Sequence, residues 1–338
     1  MNFFFIFLFT FFLFKISTKY KILLNYNGEK HQKFTHFKNI PLIGGPIIAF
    51  SILFLSSFDL NEKIFFLCIF SVGIISDFKL VIAPSKRLLI QFIVILLFVY
   101  FLKINIVSTR FFLLDYFLNN ASFSIIFTSF CFLILINGTN FIDGNNGNVL
   151  FYYLIVLFVT IFLKQNQLLF FVKTDLYFLF FLIIILLIFN LANKLYLGDS
   201  GSFILSLIFG FILIKSYLTN LTYISPFFVT LCLWYPAFEN LFSIIRKSYF
   251  LSLPTKADNN HLHQLLYFFL IKKFNSNKIF LNNAVSILIN LFNLIIIYFG
   301  MKDINNTQFQ IFLILVSIFI YLLLYLWLLK YKKYFTKK

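Results

Sequence analysis

Residues 137–147 read Asn-Gly-Thr-Asn-Phe-Ile-Asp-Gly-Asn-Asn-Gly, an acid and three glycines set between two long apolar runs. Gly-rich backbone lets N–H groups approach a phosphate closely, and Asp143 with Asn140 could hold a metal ion or a sugar hydroxyl. A plain polar turn between two helices is the simpler alternative. Three other stretches carry similar chemistry. Ser76-Asp77-Phe78-Lys79 precedes Ala83-Pro84-Ser85-Lys86-Arg87, so that an acid and a basic pair meet at one membrane boundary. That suits a metal beside an anionic head group, although Lys86 and Arg87 also serve as plain topology signals. In Tyr196-Leu197-Gly198-Asp199-Ser200-Gly201-Ser202, Asp199 either caps a helix start or holds Mg2+ while helix N–H groups face a phosphate. The last stretch is Pro254-Thr255-Lys256-Ala257-Asp258-Asn259-Asn260-His261-Leu262-His263-Gln264. Two histidines at i and i+2 do not share a helix face, which disfavours zinc held from a helix. Hydrogen bonds or positive charge offered to a pyrophosphate suit His261 and His263 better.

The elements that must position these residues are membrane helices. Hydrophobic residues make up 61% of the 338 and charged ones 12%, with a mean hydropathy of +0.95, so the chain reads as an all-α polytopic membrane protein. Apolar runs near 2–16, 41–57, 63–76, 88–106, 122–137, 148–163, 176–192, 201–217, 224–243, 279–299 and 309–329 predict about eleven transmembrane helices. They form one domain over 1–338, with catalytic loops near 17–40, 76–87, 138–147, 193–200 and 246–278. The first run lacks a basic leading region and a small-residue cleavage site, and it reads as a retained anchor. With the N-terminus outside, 21 of the 28 Lys and Arg fall on the cytoplasmic side, the orientation that the positive-inside rule favours. The C-terminus and all the loops named above are then cytoplasmic. The net charge of +17 follows from topology, and nucleic acid is not an expected partner. The basic loop 17–40, with His31 and His36, and the tail 330–338 read as anchors to anionic lipid. Cys68, Cys131 and Cys232 stand apart from one another and imply neither a disulfide framework nor a zinc site. The 55 Phe read as compositional bias and carry no function.

Two sortings add weight to the loops. Asp77, Asp143, Asp199 and Asp258 fall inside, whereas Asp59, Asp115, Asp175 and Asp303 fall outside in short turns. Of the eleven Gly, Gly44, Gly45, Gly138, Gly144, Gly147, Gly198 and Gly201 lie in or beside the inner loops. Acids at membrane ends beside Gly or basic residues are functional candidates.

In their order, spacing and sidedness, Asn140-Phe141-Ile142-Asp143-Gly144 with Gly147, Gly198-Asp199-Ser200-Gly201-Ser202, and Asp258 with His261-Leu262-His263 resemble the signatures of the polyprenyl-phosphate N-acetylhexosamine-1-phosphate transferases. The resemblance spans about residues 25–270, and the 246–278 loop looks like the undecaprenyl-phosphate GlcNAc-1-phosphate transferase branch. It implies transfer of a sugar 1-phosphate, by default N-acetylhexosamine 1-phosphate, from a UDP-sugar to undecaprenyl phosphate. UMP leaves, and a cell-envelope polysaccharide is begun at the cytoplasmic face of the bacterial plasma membrane. The implied cofactor is Mg2+, with Mn2+ as its alternative. The implied partners are a UDP-N-acetylhexosamine, the polyprenyl phosphate and membrane lipid, with a homodimer left open. Two anionic substrates must meet, and that chemistry requires cations.

By matched position, the resemblance implies Asp199 as the principal Mg2+ ligand and Asp77 at the reacting phosphates, as proton acceptor or electrostatic anchor. Asn140 and Asp143 organise the nucleotide-sugar site, Tyr196 stacks on uracil, Asn146 lies near the same base, and Asp258 belongs to the substrate site. Arg87, with Lys86, holds the lipid phosphate, and His261 and His263 hold the pyrophosphate. The chain departs from the pattern where Ser76 stands for a first acid, Ser85 for a basic residue, Asn146 for a second acid, Asn259 for an Arg and Gln264 for a third His. A non-catalytic pseudoenzyme would keep this fold and most motifs. A lipid transporter or flippase would place acids or broken helices near the midplane and show internal repeats, and neither is evident.

Overall fold

The computed structural model describes residues 2–24, 39–78, 80, 83–169, 171–249 and 259–336. They form helices α1 (Asn2–Tyr20), α2 (Gly44–Ile52), α3 (Leu60–Asp77), α4 (Pro84–Leu102), α5 (Phe112–Leu118), α6 (Ala121–Ile142) and α7 (Asn148–Gln165). These are followed by α8 (Lys173–Leu191), α9 (Gly198–Thr219), α10 (Pro226–Cys232), α11 (Trp234–Tyr249), α12 (Leu262–Lys273), α13 (Lys278–Gly300) and α14 (Thr307–Thr336). Seven of them, α4, α6, α7, α8, α9, α13 and α14, are long and apolar enough to cross a membrane. The chain is an all-α membrane protein, because only helices and closed barrels satisfy their backbone in lipid.

Each predicted run lies on one or two helices, and four are not among these seven: 2–16 lies on α1, and three others depart from a simple span. Residues 224–243 form α10 and α11, bent by 76°. Pro236 has no N–H to give and its ring would clash with the Cys232 carbonyl, so a continuous helix stops at Leu233. α3 matches α7 in length but carries Glu62, Lys63 and Asp77. α2 has nine residues, roughly 14 Å at 1.5 Å per residue, which is short of a bilayer. The stretch 41–58 still runs from end to end. At one end the Gly44 N–H donates to Tyr196 O at 3.1 Å, and at the other the Ser57 N–H donates to Asp175 at 2.6 Å.

α9 is the axis of the bundle. Nearly all of it is buried, with α2, α3, α6, α7 and α10 around it. Lipid tails are as apolar as Leu, so helices associate by close packing rather than by escape from water. Small residues do that here. A Cβ on Gly73 would collide with Ser200 Cα, and one on Gly210 would lie 2.8 Å from Leu135. The abundant Phe fill the next layer. Phe58, Phe66, Phe98, Phe132, Phe171 and Phe211 meet edge to face or tilted at 4.9–5.9 Å between centroids, a geometry that favours aromatic pairs.

The end of the bundle away from the motifs is fastened by polar contacts. Arg110 donates to the carbonyls of Leu221, Ile224 and Asn305, and Lys215 pairs with buried Glu62 at 2.7 Å. The other end gathers the last turns of α3, α6 and α8 with the first turns of α4, α7 and α9.

Gly73→Ala sets helix propensity against packing. Alanine gains about 1 kcal/mol over glycine in a helix, whereas overpacking costs about 1–3 kcal/mol. We expect a lower melting temperature in detergent, and a raised one would refute the tight α3–α9 contact.

Candidate active site

α9 begins with a glycine in the left-handed region, Gly198 at φ +72°, where a side chain would be strained. Its first N–H groups are satisfied from another helix. Asp77, the last residue of α3, accepts from the Asp199 N–H at 2.8 Å, the Ser200 N–H at 3.1 Å and the Ser200 hydroxyl. Asp77 is therefore the N-cap of α9 in space though not in sequence, and it is 8% exposed. A negative charge there suits the positive end of the helix dipole.

With that cap filled, Asp199 turns elsewhere. Its Oδ2 accepts from Arg87 Nη1 at 2.6 Å and from the Ser76 hydroxyl at 2.6 Å, and the same Arg87 nitrogen donates to Ser76 Oγ at 3.0 Å. Three helices meet in this triangle: α3 gives Ser76, α4 gives Arg87 and α9 gives Asp199. The Arg87 and Asp199 side chains are each 24% exposed, so the pair is open to a ligand on one side. Lys86, next along α4, is exposed and outside the triangle.

The 137–147 stretch closes α6 and opens α7. Asp143 is the residue that ends α6, and its carboxylate has no hydrogen-bond donor among the described residues. Burial first, then the charges of Asp199 and Asp77, push the Asp143 carboxyl well above the usual range. Asn146 is buried, its N–H bonded to Asn282 and its amide to Asn193 at 2.6 Å and Asn283 at 3.2 Å. Gly147, at φ +76°, donates to Asn190. Asn148 bonds Ile142 O and is met by Asn290. Asparagines of α8 and α13 thus hold the loop. The sequence signal was their presence in otherwise apolar helices, and compositional bias hid it.

The histidines dock against this loop. A Cβ on Gly144 would collide with the His263 ring. His261 lies 5.3 Å from the Phe141 ring and stacks on His263 at 5.7 Å. His261 Nδ1 meets Glu239 at 2.9 Å, and Tyr321 donates to the other Glu239 oxygen at 2.6 Å. Glu239 was not anticipated, although an acid inside the apolar run 224–243 is a functional candidate on that ground alone. Tyr196 is 7% exposed, and its backbone is bonded to Pro41 and Gly44. Asn140 is half-buried near the end of α6. Asp258, His31 and His36 lie outside the described residues.

Among the described residues, no three His, Cys, Asp or Glu side chains gather closely enough to hold a metal by themselves. Mg2+ asks for less, since it keeps several waters and takes one or two carboxylates together with substrate phosphates. Asp143, without a donor, and the partly exposed Asp199 fit that requirement.

Helices long and apolar enough to cross a membrane, with an ion pair and two further carboxylates at one end, make this end the candidate site. Residues 63–217, somewhat less than half of the chain, match the family model of glycosyl transferase family 4, which supports a polyprenyl-phosphate sugar-1-phosphate transferase. The match contains Asp77, Arg87, Asp143 and Asp199, while Glu239, His261 and His263 lie beyond it. No curated protein matches the chain.

Asp77→Ala leaves buried helix N–H groups without an acceptor, which costs about 1–3 kcal/mol. Asp143→Ala removes no hydrogen bond from the described structure and relieves a buried carboxyl beside two like charges, so it is expected to leave stability unchanged or raise it. Thermal melts of both variants check this, and equal stability of the two would refute the capping role.

Proposed function

We propose that the chain transfers N-acetylhexosamine 1-phosphate from a UDP-sugar to undecaprenyl phosphate, releasing UMP and starting a cell-envelope polysaccharide. The reaction takes place at the cytoplasmic face of a bacterial plasma membrane. The observation that carries this reading is the Arg87–Asp199–Ser76 triangle beside Asp143, a cation and carboxylates open to ligand at one end of the bundle. The sidedness rests on the basic residues, most of which belong to that end.

Arg87 binds the lipid phosphate, for which a guanidinium is well shaped, and Lys86 adds a second, mobile cation. Asn140 and Asp143 orient the donor. Asp199 and Asp143 would hold Mg2+, which would supply positive charge to offset repulsion between the two anionic substrates. The second pKa of a phosphate monoester is about 6, so the acceptor is already mostly a dianion near neutral pH. A strong base is unnecessary, and the acceptor oxygen attacks the sugar-bearing phosphorus directly. Asp77 fits this mechanism as the residue that orients Asp199, because both of its oxygens already accept hydrogen bonds. His261 and His263 offer donors to the diphosphate, and Tyr196 and Asn146 shape the side of the site near the base.

The test is UMP release by protein in detergent, given undecaprenyl phosphate and a panel of UDP-N-acetylhexosamines with Mg2+, then EDTA. We expect release that needs both lipid and metal and that falls by about 100-fold or more in Asp199→Asn, on the scale of lost transition-state electrostatics. Folded protein that releases no UMP from any donor would overturn the reading.

A further inference from the structure

Glu239 lies inside the bundle at 1% exposure, in the part of the chain beyond the family match. Its two oxygens join two other elements, His261 at the cap of α12 and Tyr321 on α14. A buried carboxylate is costly unless it is paired and hydrogen-bonded, and here each oxygen has a partner. An ionised carboxylate only accepts. The proton of His261 therefore sits on Nδ1. Nε2 is then the nitrogen that offers a lone pair when the ring is neutral and a second N–H when it is charged. Phe141 and His263 fix the plane of the same ring, and Phe141 lies two residues from Asp143. A residue distant in sequence thus determines how one imidazole faces the loop of the candidate site.

We propose that Glu239, assisted by Tyr321, is a positioning residue for the transfer: it accepts the Nδ1–H of His261, fixes the ring beside the 137–147 loop and favours the charged imidazole that an anionic donor needs there. The inference rests on the transferase reading given above. A purely structural clamp between α11, α12 and α14 would look the same at rest, but it would depend on shape and not on charge.

Glu239→Gln separates the two. Glutamine keeps the size, can accept from Nδ1 through its carbonyl and can donate to the Tyr321 oxygen, but it lacks the charge. We expect its kcat to fall by about 10–100-fold, the range found when the group behind a functional imidazole is changed. Its melting temperature stays near that of wild type, and Glu239→Asp recovers part of the rate. Tyr321→Phe lowers kcat a few-fold. Nitrogen-15 NMR of histidine-labelled protein reads the ring directly, with a proton on Nδ1 of His261 in wild type and both nitrogens protonated once a UDP-sugar is bound, a state that is weakened in Glu239→Gln. Wild-type kcat in Glu239→Gln, or a wild-type His261 without a proton on Nδ1, would overturn the proposal. So would a rate loss that only follows a fall in melting temperature and is not relieved by aspartate. Wild-type protein that releases no UMP from any UDP-sugar would instead sink the transferase reading, a result distinct from an active wild type with an equally active Glu239→Gln.

Discussion

The carboxylate of Asp77 at the start of α9 is the contact on which the candidate site depends. A helix leaves its first N–H groups without partners, and at the edge of a membrane there is little water to satisfy them. α9 has no capping side chain of its own, since Leu197 precedes it. Asp77 supplies the missing acceptor from α3 and so fixes the register of two helices against each other. Gly198 and Gly73 are consequences of that register. The first turns so close to Asp77 that a Cβ would lie 2.7 Å from its carboxylate, and the second lets Ser200 approach α3. Once α3 and α9 are locked, Ser76 must face Asp199. α4, which follows α3, then brings Arg87 to the same point.

Electrostatics shows what a serine does at position 76. Asp77, Asp143 and Asp199 bring like charges together, and at an effective dielectric near 20 two charges about 4 Å apart interact by about 4 kcal/mol. An acid at position 76 would place another carboxylate within hydrogen-bond reach of Asp199. The Ser76 hydroxyl instead donates to Asp199 and accepts from Arg87, relieving the crowding without adding charge. What remains is a site with more acid than its neighbours neutralise. That imbalance adds to burial in raising the Asp143 carboxyl, and it suits the divalent-metal dependence known for glycosyl transferase family 4.

Much of this was legible in the sequence. Apolar runs located the long helices because lipid demands continuous apolar segments with internal hydrogen bonds, and α4, α6, α7, α8 and α9 lie where such runs predict. The bend at Leu233 was not anticipated, since 224–243 reads as one span, although Pro236 is its signal. Nor was the nine-residue length of α2, because Leu53 to Phe58 are as apolar as a helix would be and only packing against α8 decides their path. α5 and α12 lie within stretches read as loops. At the site, spacing singled out Asp199, Arg87 and the histidines, but not the capping by Asp77. Sequence left a helix cap at Asp199 as the alternative to a metal ligand, and the tertiary fold assigns the cap to an aspartate more than 100 residues earlier. The asparagines of α8 and α13 escaped for a different reason, since a side-chain network has no periodicity to betray it.

The two halves of the site are built differently, and that difference explains the length of α14. The carboxylate half sits on the ends of α3, α4 and α9, which position side chains more accurately than loops do. The histidine half enters from a loop and needs external fastening. Glu239 holds His261, Arg246 donates to Asn260 O at 3.0 Å, and Lys332 donates to Asn259 O at 2.7 Å and Asn260 Oδ1 at 2.8 Å. α14 has 30 residues, roughly 45 Å at 1.5 Å per residue, well beyond a hydrocarbon core of about 30 Å. The excess carries Lys332 to the histidine loop. A basic tail that reads in sequence as a lipid anchor thus contributes at least one lysine to the architecture of the site, and the last helix reaches the same loop through Tyr321 as well. α14 therefore ties the membrane-spanning bundle to Asn259, Asn260 and, through Glu239, His261.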